Sequence, residues 1–482
     1  MARRVLIVGA GEAGRMLLRE MRTRAGQAYE VAGFLDDDPA LRGADVEGAP
    51  VLGGCDNIAS AVARYGVGEV IVAVPTAGRA FVRRVVAQCR DARVPFRIVP
   101  GMLEIIKGPV RLEQLRDVRP DDLLGRESAE FDEEAIGAGL AGRRVLVTGA
   151  GGSIGGEICR QISRFDLDRL ALLGRGENQI YEIEHELRAL APALRVETII
   201  VDVRDARALE RSFVGASPHF VYHAAAHKHV HYMEAFPEEA VKNNIVGTRN
   251  VIAAARAAGA DRVVMLSTDK AVDPGGVMGA TKRVAEYLMA GASGESGPRF
   301  ISVRFGNVLA SRGSVVPLFV SQIQAGGPVT VSHEHASRFF MSLKEACMLV
   351  VQASMMGGGG EVFILRMGEP IRIAELARDL IALHGLRPEI DVGVEITGLR
   401  PGEKLHEALV AAGEEAVPSA HPHILVARPR PPAGFDAGAV VAELEELAEA
   451  GDRAGIRRCL GRVIPDAALG AGASEPVEGG PS

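Results

Sequence analysis

Short apolar runs rich in β-branched residues recur along the chain, each ending in glycine, aspartate or proline, with helix-length segments between most of them. Two such runs begin almost identically. RRVLIVGAGEAG at Arg3–Gly14 and RRVLVTGAGGSIG at Arg143–Gly155 each predict a buried strand that turns through glycines into a helix. After the first come the predicted strands YEVAGFLDDD, VGEVIVAVP and PFRIVP, which close an α/β domain at 1–115. The polar, acidic stretch to Gly142 reads as a linker over 116–141. RRVLVTGA, DRLALLGR, RVETIIVDV, PHFVYHAAA, DRVVMLSTD and RFISVRFGNV then predict six strands of a second domain over 142–430. Strand–helix alternation of this kind implies two doubly wound, mainly parallel sheets. RPRPP at Arg428–Pro432 breaks the chain before one amphipathic helix, Ala439–Ala450, and a tail from Gly470 with the composition of disorder, so 431–482 is read as a C-terminal appendage.

Length and composition narrow the class. At 482 residues the chain exceeds what one core supports. A net charge of -7 argues against nucleic acid, and no apolar run is long enough for a membrane helix. Five scattered cysteines without CxxC spacing fit a reduced, cytoplasmic protein. Of 55 basic residues only seven are lysine, which marks those seven as candidates for work that needs a compact or titratable amine.

The second glycine turn is the expected dinucleotide site. Gly149, Gly152 and Gly155 allow backbone amides to approach a pyrophosphate at a helix N-terminus, and Asp202 lies where an aspartate can face an adenine. Gly174 stands where a ribose-binding carboxylate is usual, and Arg175 follows it. That favours NADP, while Glu177 keeps NAD open. The first turn, Gly9, Gly11 and Gly14 with Asp36, has no catalytic constellation after it and is read as either nucleotide-binding or structural. Thr268, Asp269 and Lys270 fall at the C-terminal end of a strand, where α/β sheets present ligands. Their side chains are expected to diverge as separate acid and base; a helix cap with an ion pair is the competing reading. Met278 and Lys282 share a helical face. His223, His227, His229 and His231 match no standard zinc spacing, so no metal is expected.

These motifs together resemble the extended short-chain dehydrogenase/reductases, and within them the polysaccharide-biosynthesis nucleotide-sugar 4,6-dehydratases. The resemblance rests on TGAGGSIG, HAAAHKHV, VKNNIVGT, STDKAV…MGATKR, VRFGNVLASRGSVVPLF, SRFFM and GLRPGEKLHE. GAGEAG, GFLDDDP and GAPVLG resemble the domain that precedes the dehydratase in long members of that family. Long members usually begin with transmembrane helices, so this chain looks like a soluble version. They also carry methionine where shorter relatives have a catalytic tyrosine, which Met278 matches.

The resemblance implies a UDP-linked N-acetylhexosamine, most simply UDP-N-acetylglucosamine, and a tightly held NAD or NADP. Asp269 would protonate the hydroxyl leaving carbon 6, and Lys270 would take the proton from carbon 5. Lys282 would hold the nicotinamide ribose, and Thr268 would bond the 4-hydroxyl. The acceptor of the 4-hydroxyl proton would be Asp269, or a water held by Thr268 and Lys282. Ser153, Ile154, Val203, Ala224, Ala225, Lys228, Ser267 and Val308 complete the implied cofactor contacts. His229, Asn307, Arg338, Arg400 and Glu403 are implied on the substrate side, with Arg338 and Arg400 on the diphosphate and Glu403 on uridine or behind Arg400. His231 replaces a proline common in relatives. A homo-oligomer built on helices of the second domain is the family expectation. A sugar-nucleotide epimerase or reductase and a catalytically silent sensor are the rival readings.

Overall fold

The computed structural model describes residues 2–24, 28–74, 78–99, 115–116, 118–123, 129–294, 296–309 and 311–469. Residues 117 and 124–128 of the expected linker and the tail from Gly470 lie outside them. The chain divides into two compact units. One comprises Met1–Ser128, Ser314–Val331 and Ile373–Ile396; the other comprises Ala129–Gly313, Ser332–Arg372 and Thr397–Ser482.

In the first unit a parallel sheet runs in the order Tyr29–Leu35, Arg3–Val8, Glu69–Val72, Phe96–Ile98. Side chains alternate across a strand, so Val5 and Ile7 enter one apolar core while Leu6 and Val8 enter another on the opposite face. The same unit holds a small parallel pair, Val329–Val331 with Val394–Ile396, beside the helix Ile373–Leu383.

The second unit carries a nine-stranded sheet. Its order is Ala416–Pro418, Ile424–Ala427, Val362–Leu365, Arg299–Arg304, Arg262–Leu266, Phe220–His223, Arg144–Thr148, Arg169–Gly174, Val196–Ile200. The six predicted strands form its contiguous parallel part, and Val362–Leu365 extends it. Two antiparallel strands close one edge. Those three additions were not predicted, because their short apolar runs lie in the irregular region after Asn307. Alternation again divides the core: Leu146, Val263 and Met265 pack on one face, and Val145, Val147, Val264 and Leu266 on the other.

Both faces are buried, which is why these strands read as continuous apolar runs. Fold class is therefore as expected, an α/β protein with Rossmann-like parallel sheets. The C-terminal segment differs from the reading above. It forms two helices, Ala437–Glu449 and Arg453–Val463, whose Val441, Leu444, Ile456 and Leu460 enter the core beside Val284 and Leu288. The arginine-rich second helix hid its apolar stripe within a charged stretch. All five cysteines are buried free thiols.

Candidate active site

The glycine turn is built for close approach. Gly149 has φ +67°, and a Cβ there would come within 2.8 Å of the Ala225 amide nitrogen. Gly152 donates its N–H to the Gly149 carbonyl at 2.9 Å, and the helix Ser153–Ile162 starts at the next residue. A Cβ at Gly155 would collide with the Gly149 carbonyl oxygen. Only glycines permit this turn, which aims a helix N-terminus at a cleft of about 370 Å³. Gly149, Gly152, Arg175, Asp202, Val203, Ala224 and Ala225 line that cleft. Of the other expected cofactor residues, Ser153, Ile154 and Gly155 form the first turn of the helix.

In the same cleft, Arg204 chelates Asp202 at 2.8–3.1 Å, and Arg175 lies 3.6 Å away. Partial burial opposes the charge of Asp202, but the hydrogen bonds and charge of Arg204 outweigh it and hold the carboxyl below its ordinary range. The cradle, the helix terminus and the carboxylate together fit an adenine dinucleotide.

At the end of Arg262–Leu266 the backbone leaves the strand and enters a 3₁₀ turn, Asp269–Ala271, capped by the Thr268 hydroxyl, which accepts from the Lys270 amide. Strand alternation therefore stops before Asp269 and Lys270. The two side chains do not diverge as expected; Lys270 Nζ donates to Asp269 Oδ1 at 3.0 Å and to Asn307 Oδ1 at 3.0 Å. Cap, ion pair and candidate chemistry coincide. Asp269 is fully buried, Thr268 Oγ1 donates to its Oδ1 at 3.0 Å, and its Oδ2 has no partner. A buried acceptor without a donor is costly, and it marks a position where a ligand hydroxyl would be satisfied.

The helix Val277–Ala292 supplies Met278 and Lys282, both buried, with Met278 part of the apolar core. Burial pushes the Lys282 ammonium down to about 8, and the charge of Glu286 partly opposes this. His223 is settled as a neutral spacer. Its Nδ1 lies 2.8 Å from Thr148 Oγ1 and its Nε2 lies 3.1 Å from Thr248 Oγ1, while burial and then the charge of Lys282 push it down to about 3. His229 packs edge-on against Tyr232.

Lys228 donates to the Arg312 carbonyl at 2.8 Å, and the Arg312 amide donates to Ser153 Oγ, so Lys228 ties a loop to the glycine-turn helix. Val308 is buried in a short strand paired with Phe340–Met341. Arg338 is buried and donates to Glu403 Oε1 at 3.0 Å; Glu403 also accepts from the backbone N–H of Arg400, whose side chain is exposed.

Two groups escaped the sequence reading. Ser267 donates to Glu286 at 2.7 Å, and Glu286 is bound by Arg304 and Arg283, which also reach Glu414. Burial works against the charge on Glu286, but these arginines hold it down to about 2. Its one legible signal was Arg304, a charge at a core position of RFISVR. The second is Glu407, buried within ion-pair distance of Lys270, Lys404 and Arg338. Its position in GLRPGEKLHE was visible, but nothing local connects it to Lys270.

Residues 145–429 match the family described as "Polysaccharide biosynthesis protein", and residues 1–100 match one described as "CoA-binding domain". The chain is 43% identical over 426 residues to the probable polysaccharide biosynthesis protein EpsC of Bacillus subtilis, covering 88% of this chain and 71% of that protein. It is 34% identical over 284 residues to a UDP-glucose 4-epimerase of Rickettsia rickettsii, covering 57% of this chain and 79% of that one. The solved structure of Pen from Bacillus thuringiensis is similar with a TM-score of 0.55 and 34% identity, covering 60% of this chain and 89% of that one.

Proposed function

Because the chain belongs to the polysaccharide biosynthesis protein family, we propose that it is a nicotinamide-dependent UDP-N-acetylglucosamine 4,6-dehydratase. The observation that carries this is the Asp269–Lys270 pair, with its unpartnered Asp269 Oδ2, set where buried Met278 leaves no phenol for the proton.

The glycine cradle and Asp202 would hold the dinucleotide. Arg175 and Arg204, with Gly174 in place of a carboxylate, favour a 2′-phosphate and hence NADP. A bound nicotinamide would supply reversible hydride transfer, from sugar carbon 4 and back to carbon 6. Asp269, through its free Oδ2, takes the 4-hydroxyl proton and later delivers it to the hydroxyl leaving carbon 6. Lys270, as the amine, takes the proton at carbon 5, which the new 4-ketone has acidified, and afterwards gives a proton back to carbon 5. Thr268 fixes Asp269, and Asn307 fixes Lys270. Lys282, buried and readily neutralised, would contact the nicotinamide ribose. Arg338, backed by Glu403, and the exposed Arg400 would hold the diphosphate.

The 34% likeness to a UDP-glucose 4-epimerase favours carbon-4 epimerisation as the second reading. Incubation with UDP-N-acetylglucosamine in deuterated water separates the two. The dehydratase gives a 4-keto-6-deoxy sugar with deuterium at carbon 5. A 4-epimer without deuterium at carbon 5 supports the second reading, and unchanged substrate with cofactor bound overturns both.

A further inference from the structure

Glu407 belongs to none of the roles above, yet it lies within ion-pair distance of two side chains that carry them, Lys270 and Arg338. Its side chain is only 3% exposed. Oε1 lies 3.8 Å from Lys270 Nζ and 4.0 Å from Arg338 Nε, while Oε2 lies 3.2 Å from Lys404 Nζ. Despite this proximity, Oε2 has no aligned hydrogen-bond donor. Lys404 directs two of its three donors to the carbonyls of Val272, at 2.9 Å, and Asp273, at 3.1 Å. Arg338 directs three of its five donors, all from Nη1 and Nη2, to Glu403 and two carbonyls, and its Nε at 4.0 Å is beyond hydrogen-bond reach of Glu407. Glu407 is thus a buried anion held by charge rather than by hydrogen bonds.

A carboxylate buried in this way persists only because cations surround it, and a change in one of those cations is felt strongly at short range. Of the three, Lys404 and Arg338 are fixed by their backbone and carboxylate partners. Lys270 is the cation that the proposed chemistry changes.

We propose that Glu407 is the positioning residue of Lys270: its buried carboxylate holds Nζ in place and stabilises the ammonium that forms as the proton leaves sugar carbon 5. The inference rests on Lys270 being that base. The step balances without a further reactant. The C5–H bond breaks and an N–H bond forms on Lys270. The electron pair left at carbon 5, stabilised by the 4-ketone, expels the 6-hydroxyl, which leaves as water with the proton carried by Asp269. The charged groups that bear on Lys270 and Glu407 are Asp269 on the 3₁₀ turn, Arg338 with Glu403 behind it, and Lys404. In this arrangement Glu407 acts on the forming ammonium and Asp269 on the leaving oxygen, which divides labour between two carboxylates that share one amine.

The test compares wild type, Glu407→Gln and Glu407→Asp as full-length protein with cofactor bound, reading kcat, KM, deuterium incorporation at carbon 5 and the pH–rate profile. For Glu407→Gln, kcat and the rate of carbon-5 exchange fall about tenfold or more with KM little changed. The ascending limb of its profile moves toward lower pH by about one unit, since a neutral amide no longer favours the ammonium. Glu407→Asp keeps the limb in place but loses rate, because the charge is withdrawn by one methylene. Unaltered kcat and profile in Glu407→Gln overturn the proposal, as does a loss confined to KM, which would make Glu407 a prop for Arg338. Should Glu407→Gln not fold, Glu407→Asp decides: wild-type kcat overturns the proposal, and reduced kcat on an unmoved limb supports it. If wild type itself incorporates no deuterium, the dehydratase reading and this inference fall together; if wild type incorporates it and the variants match, only Glu407 is misassigned.

Discussion

At the scale of single residues, burial decides how the charged groups behave. Lys282 is a lysine with almost no water around it, and its ammonium is pushed from the ordinary 10.5 to about 8. A lowered amine pKa means that folding penalises the charged form. The penalty is full below about 8, fades as pH rises from 8 to 10.5, and is gone above. Lys282→Met is therefore expected to abolish turnover yet raise the melting temperature of cofactor-free protein at pH 7, with the gain shrinking between pH 8 and 10.5. A melting temperature that falls at pH 7 would refute the assignment. The lysine itself was legible, since it is one of seven in the chain; its titration was not, because burial depends on segments distant in sequence. Asp269 and Lys270 teach the same lesson. Their identity and position were readable, but the choice between divergent side chains and a capped ion pair was not, because the sequence does not announce where a strand gives way to a 3₁₀ turn.

At the scale of elements, the strand–turn–helix at Arg144–Ile162 is the most legible part of the protein. Gly149 needs a positive φ and open space beside Ala225, and both needs are local consequences of a tight turn facing a neighbouring strand end. Gly149→Ala forces a Cβ into 2.8 Å of the Ala225 amide. Dinucleotide affinity is expected to drop at least about tenfold, equivalent to about 1.4 kcal/mol, measured by titration calorimetry with the fold checked by circular dichroism. Unchanged affinity would place the dinucleotide elsewhere. The edge strands Ile424–Ala427 and Ala416–Pro418 were not legible, since runs so short acquire strand character only by pairing with Val362–Leu365.

At the scale of the whole molecule, the C-terminal helices act as a strap on the unit that holds the site. Arg457 donates to Glu234 Oε2 at 2.6 Å and to its carbonyl at 2.7 Å, and Glu234 Oε1 accepts from the Val277 amide at 2.6 Å, at the start of the helix that carries Met278 and Lys282. Removing residues 433–482 bares Val284, Leu288 and their neighbours and deprives Glu234 of its Arg457 partner. Such a truncation is expected to lower the melting temperature by about 10 °C or more and to promote self-association, read by calorimetry and light scattering. An unchanged melting temperature would show that the strap is dispensable.

By itself the sequence determined the alternation of strands and helices and the glycine cradle, because each follows from near-neighbour sterics and periodicity. Only the tertiary structure decided that Asp269 and Lys270 share a bond, that Glu286 and Glu407 are buried among arginines and lysines, and that the helices Ala437–Glu449 and Arg453–Val463 pack beside the helix Val277–Ala292. Those outcomes depend on which distant charges and apolar faces exclude water from one another, and no local pattern encodes that.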